Sequence, residues 1–117
     1  MRISQDRLHP SLKNQIVKTL AQTLVDLKDV EEADIFLKDF FNESELETFA
    51  KRLSIAYWLK KGRSYTNIRQ NLKVSSATIA SVQTMMDRIG IRMALKKLEA
   101  EEWANIWAEK IKGFVKR

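Results

Sequence analysis

The sequence of 117 residues predicts an all-α fold. Apolar residues recur at spacings of three and four along almost the whole chain, which is the period of a helix face, and no window is rich in β-formers. One proline and three glycines leave few breaks, and no internal repeat or Pro/Gly/Ser linker separates one part from another. The expectation is a single helical domain, or one subunit of a dimer whose core a partner completes. Its parts are scaffold and dimerisation helices over 10–61, a helix-turn-helix over 62–90 and a C-terminal amphipathic helix over 91–117.

Pro10 suits the first turn of a helix, and Leu12, Ile16, Leu20, Leu24 and Leu27 carry one apolar face from Pro10 to Leu27. Asp29 followed by Glu32 is a capping-box pattern that opens a second helix with Ala33, Phe36, Leu37, Phe40 and Phe41 on its apolar stripe. Side chains of that size must be buried, either in a subunit interface or in an intramolecular core. Asn42 with Glu45 repeats the capping signature and starts a third helix, Glu43 to Lys61. Its inward residues are expected to be Leu46, Phe49, Ala50, Leu53, Ala56, Tyr57 and Leu59. Glu43, Glu45 and Glu47 favour the positive end of that helix, and Lys60 and Lys61 its negative end.

Gly62 to Gly90 reads as two short helices joined by a tight turn. Ser64 is the expected N-cap of the first, with Ile68 and Leu72 on its apolar face. Lys73, Val74 and Ser75 make the turn. Ser75 caps the second helix, Thr78 takes its third position, and Ile79, Val82 and Met86 share a face until Gly90 ends it. Ile68, Leu72, Val74, Ile79 and Val82 carry the offsets that let two helices cross over a shared core. Ser76, Ala77, Ala80, Ser81 and Gln83 then face outward, a small polar surface that can be pressed against base edges in a major groove. Two residues depart from the usual pattern: Arg69 stands where a small residue lets the helices touch, and Lys73 where glycine supplies positive φ. The alternative is two short core helices in an ordinary bundle.

From Ile91 to Phe114, apolar residues at Ile91, Leu95, Leu98, Trp103, Ile106, Trp107, Ile111 and Phe114 predict one long helix, or two broken inside it. Trp103 and Trp107 lie on one face, either clamping a partner or covering the core or dimer seam.

Net charge is +6 and unevenly placed. Residues 1–47 hold 6 Lys/Arg against 10 Asp/Glu, residues 48–97 hold 11 against 1, and residues 98–117 hold 4 against 4. A block of one sign is matched either by a phosphate backbone or by the acidic N-terminal third. Catalytic chemistry is poorly represented. The lone His9 sits at a helix edge, Glu31, Glu32 and Asp34 lack the spacing of a calcium loop, and scattered glycines build no phosphate loop, so neither enzyme nor metal site is expected. Cysteine is absent, and no apolar run suits a signal peptide or membrane span, which together lead to a cytoplasmic expectation.

The stretch FFNESELETFAKRLSIAYWLKKGRSYTNIRQNLKVSSATIASV resembles the Trp repressor superfamily, most closely its Trp-repressor-related YerC/YecD-type branch. The likeness runs from Leu27 to Gly90. It rests on the acidic cap before the third helix, the Arg52-Leu53 pair, Leu-x-x-Gly at Leu59 to Gly62, and Ser-x-Ala-Thr-Ile at Ser75 to Ile79. The resemblance implies an intertwined homodimer presenting one helix-turn-helix per subunit to each half of a two-fold operator. It also implies a ligand position between recognition unit and dimer core: Arg52 matches one of the family's two tryptophan-binding arginines, and Ser81 stands in place of the other. Without the second guanidinium, tryptophan as co-repressor is not expected.

Together these readings lead to the expectation of a transcriptional regulator, a repressor by resemblance, that binds double-stranded DNA. Ser75, Ser76, Thr78 and Gln83 would lie near base edges or phosphates, and Lys60, Lys61, Arg63, Arg69 and Lys73 against the backbone. The helix after the turn has no Lys or Arg, so selectivity is expected to lean on water or DNA shape. The rival from another class is a protein-interaction module that keeps this geometry and recruits its partner through the C-terminal helix. RNA is weaker, because the aromatic residues lie outside the basic segment.

Overall fold

The computed structural model describes residues 6–115, apart from the side chains of Trp107, Phe114 and Val115. All regular structure among the described residues is helical. In chain order the helices are α1 (Pro10–Asp26), α2 (Val30–Phe40), α3 (Glu43–Lys60), α4 (Tyr65–Leu72), α5 (Ser76–Gln83) and α6 (Ile89–Val115).

The ends of these helices follow from local chemistry. Asp29 accepts from the Glu32 amide at 3.0 Å, while the Glu32 carboxylate accepts from the Lys28 amide at 3.2 Å. Asn42 and Glu45 close a reciprocal capping box, side chain to amide, at 2.8 and 3.0 Å. At the other end of α3, Gly62 takes φ +84°. Its amide donates to the Leu59 carbonyl at 3.0 Å and the Arg63 amide to that of Trp58 at 3.1 Å. That is the Schellman closure, and its left-handed residue is most easily glycine.

The chain divides into two compact units, Met1–Leu46 and Glu47–Arg117. In the first, neither α1 nor α2 has a buried residue. The stripe of Leu12, Ile16, Leu20 and Leu24 is 39% to 49% exposed, and Phe36 stacks on Phe40 at 4.9 Å between ring centroids. The apolar periodicity is therefore present without an intramolecular core beneath it.

The second unit holds the core: Ile55, Ala56, Ile68, Ile79, Val82 and Leu95 are buried, with Trp58, Leu59, Leu72, Val74, Met86 and Leu98 packed around them. Two sequence expectations are corrected here. Phe49, Ala50 and Leu53 do not point inward; Phe49 and Leu53 are 44% and 45% exposed, and Ile55 takes the central place. Leu53 stands about 200° from Ile55 on a helix and so faces away from α4, α5 and α6. Phe49 shares a side with the buried Ala56 but lies about two turns nearer the start of α3, before the stretch that the core covers. The second correction concerns Gly90. α5 ends at Gln83, and Gly90 is the second residue of α6, which runs unbroken for 27 residues. What ends α5 is a tight turn: Thr84 Oγ1 donates to the Ser81 carbonyl at 2.6 Å, and the amides of Met85 and Arg88 bond three residues back, to Val82 and Met85, at 3.0 and 3.1 Å. Met86 consequently packs from that turn, outside α5. No helix among the described residues is long and apolar enough to cross a membrane.

Candidate nucleic-acid interface

α4 and α5 form the helix-turn-helix, and their caps hold it. Ser64 Oγ accepts from the Asn67 amide at 3.1 Å, and Ser75 Oγ accepts from the Thr78 amide at 3.1 Å. Between the two helices Lys73 adopts φ 57° and ψ 50°, the left-handed conformation in which an L side chain is disfavoured. It is the position where the sequence pattern asks for glycine. The Lys73 amide still closes α4 on the Arg69 carbonyl at 3.0 Å, so the turn keeps its geometry with a lysine in it. Ile68, Ile79 and Val82 lock the helices from beneath, and Leu72 and Val74 flank them.

The outer surface of α5 is small and polar. Ser76, Ala77, Ala80, Ser81 and Gln83 are exposed. Ser75 and Thr78 are exposed too, but their hydroxyls lie 2.9 Å apart while Ser75 caps the helix, so part of their hydrogen-bonding capacity is already used. Gln83 Oε1 accepts from the Tyr65 hydroxyl, which ties the far end of α5 to the start of α4 and leaves the amide NH2 of Gln83 as its outward donor.

The five predicted cations divide into groups. Arg69 reaches across the turn, its Nη1 donating to Ser76 Oγ at 3.0 Å. Arg63 lies over the Trp58 ring, 3.9 Å from its centroid, and donates to Asn67 Oδ1 at 3.4 Å. Lys73 is exposed at the turn. Lys60 and Lys61 are paired with the last helix instead, to Glu99 at 3.4 Å and Glu102 at 3.3 Å. The charge of each segment does not reveal this, because the two glutamates fall in the electrically balanced tail yet fold back onto the basic block. Trp58, Tyr65 and Asn67, which the sequence does not single out, hold the side chains of Arg63 and Gln83. The four-residue spacing of Arg63 and Asn67 was a legible signal for one of these contacts.

The residues matched to a tryptophan site lie apart in role. Arg52 Nη2 approaches Met85 Sδ at 3.8 Å, whereas Ser81 is an exposed residue of α5 whose carbonyl serves the turn. Among the described residues no group of His, Cys, Asp or Glu could hold a metal ion. Trp103 is 63% exposed on α6; the Trp107 side chain is outside the described residues.

Comparison with known proteins places this arrangement. Residues 15–99 match the family described as Trp repressor protein, a stretch that runs from within α1 through the helix-turn-helix to the first part of α6. The chain is 29% identical over 93 residues to the uncharacterized protein YerC of Bacillus subtilis (strain 168), covering 78% of this chain and 89% of that one. It also superimposes on the crystal structure of a TrpR-like protein from Eubacterium eligens with a TM-score of 0.70 and 29% identity, over 78% of this chain and 96% of the other. The chain belongs to the Trp repressor family, as an all-α helix-turn-helix protein with the fold of a DNA-binding regulator.

Proposed function

We propose that the protein is a homodimeric transcriptional regulator of the cytoplasm, a repressor that occupies a two-fold operator with α5 of each subunit in the major groove. The observation that carries this reading is the pairing of an exposed, uncharged, small-residue face on α5 with cations beside it: Arg69 at its start, Lys73 in the turn and Arg63 before α4. Small side chains let the helix approach base edges, and the flanking cations meet phosphates on either side. Dimerisation is supported by the apolar faces that each unit leaves exposed, Leu12 to Leu24 on α1 and Phe49 with Leu53 on α3. The reading includes no tryptophan co-repressor, since Ser81 has no guanidinium to offer a ligand carboxylate beside Arg52.

Selection of bound sequences from a random duplex pool at ~150 mM salt tests this, because non-specific phosphate attraction is already much reduced there. A two-fold motif with half-sites about one helical turn apart is the expected result. Lys73→Glu and Arg63→Glu should weaken binding to every sequence and flatten its salt dependence; an unchanged slope contradicts their assignment as phosphate contacts.

One feature favours a second reading, a protein-interaction module. Beyond residue 99, where the family match ends, α6 borders a groove of about 640 Å³ lined by Tyr57, Leu98, Asn105 and Ile106 among others. A partner seated there would survive high salt and be lost on Ile106→Asp. DNA binding has the opposite sensitivities.

A further inference from the structure

The recognition helix contains no arginine or lysine, yet the fold brings a guanidinium to its first turn. We propose that Arg69, a residue of α4, reads a guanine for α5. The proposal rests on the DNA-binding reading above and assigns a base-specific role to a residue whose sequence position suggested only phosphate contact.

Three observations carry it. Arg69 Nη1 donates to Ser76 Oγ at 3.0 Å, and Ser76 is the first residue of α5, the end at which a recognition helix meets base edges. The guanidinium has five N–H donors in a rigid plane, so one bond to Ser76 leaves a two-donor edge free for the O6 and N7 acceptors of guanine. Arg69 is also exposed, and no carboxylate pairs with it among the described residues. The other predicted cations differ on one point or another. Lys60 and Lys61 are held by Glu99 and Glu102, Arg63 is stacked on Trp58, and Lys73 is a point charge without a planar fork.

The hydroxyl of Ser76 is a positioning group. An unrestrained arginine loses rotamer freedom when it settles on a base, whereas one already tethered at the helix start loses less. The same tether explains how a long side chain is accommodated where a small one lets the two helices approach: Arg69 is exposed, and it spans the gap between α4 and α5 from outside the core.

The test compares the wild-type protein with Arg69→Lys and Ser76→Ala on the duplex enriched by wild type, and on versions in which each guanine of a half-site is replaced in turn. Arg69→Lys keeps the charge and removes the fork. Expected is a preference of about tenfold or more for one symmetry-related guanine in wild type, abolished in Arg69→Lys with discrimination at other positions intact, and reduced in Ser76→Ala. Uniform weakening on all duplexes, or no guanine whose replacement matters more to wild type than to Arg69→Lys, overturns the proposal and leaves a phosphate contact. Failure of folded wild type to enrich any duplex overturns the DNA-binding reading and this proposal together. Circular dichroism of each variant separates loss of recognition from loss of fold; an unfolded Arg69→Lys is replaced by Arg69→Gln, judged by the same criteria.

Discussion

Replacing Lys73 with glycine should make the protein more stable, although it deletes a side chain and adds nothing. Lys73 sits at φ 57° and ψ 50°, where an L residue is disfavoured by roughly 1–2 kcal/mol because Cβ crowds the following carbonyl. Glycine removes that crowding but loses more freedom on folding, which costs roughly 0.5–1 kcal/mol. The difference is a gain of at most about 1.5 kcal/mol with a middle value of roughly 0.75 kcal/mol, which is a midpoint rise of about 2–6 °C for a domain of this size. Lys73→Ala is the control, since it removes the ammonium group and keeps Cβ; its stability should stay within about 0.5 kcal/mol of wild type. Urea or thermal denaturation at one fixed protein concentration measures both, the concentration being held because dimerisation shifts the midpoint. Equal stabilities for the glycine and alanine variants would refute the argument, because the charge alone would then account for the change. In DNA binding the two variants should instead behave alike, each lowering the salt slope by about 0.9 per subunit.

The remaining predictions concern the core, a cap and the ion pairs of α6. Ile79→Ala empties a fully buried site between α5 and its neighbours and should destabilise by roughly 2–5 kcal/mol in a urea titration, a large fraction of a small domain's stability. Ser75→Ala leaves the Thr78 amide without its 3.1 Å acceptor and should cost about 1 kcal/mol by the same assay, loosening the start of α5 as well. The double variant Glu99→Gln, Glu102→Gln releases Lys60 and Lys61 from partly exposed ion pairs, so stability should change by less than about 1 kcal/mol. The same variant should bind DNA more tightly with a steeper salt dependence, and an unchanged affinity would show that the two lysines do not face the duplex.

Much of the fold was legible in the sequence because it is set by neighbours along the chain. The boxes at Asp29/Glu32 and Asn42/Glu45, the caps at Ser64 and Ser75, the glycine closure at Gly62 and the offsets of Ile68, Leu72, Val74, Ile79 and Val82 each depend on residues a few positions apart. Such contacts form wherever the backbone is helical, so a spacing rule finds them. Gly90 misleads for the same reason: a glycine after an apolar stripe resembles a helix end, whereas the break is made earlier by the Thr84 hydroxyl and the bonds around Met85.

Contacts across space were decided by the tertiary structure. Spacing puts Phe49 and Ala56, seven residues apart, on one side of α3, but periodicity cannot say how far along that side the neighbouring helices reach, and packing buries Ile55 and Ala56 while leaving Phe49 exposed. The basic block of 48–97 was visible as a sum, while its distribution was not: Glu99 and Glu102 fold back onto Lys60 and Lys61, and Ser76 draws Arg69 to the start of α5. The sequence by itself determined the helices, most of their ends and the turn, because those energies are local. Which cations stay open to an anionic partner, and where the one beside α5 points, depended on side chains brought together only when α3 to α6 pack.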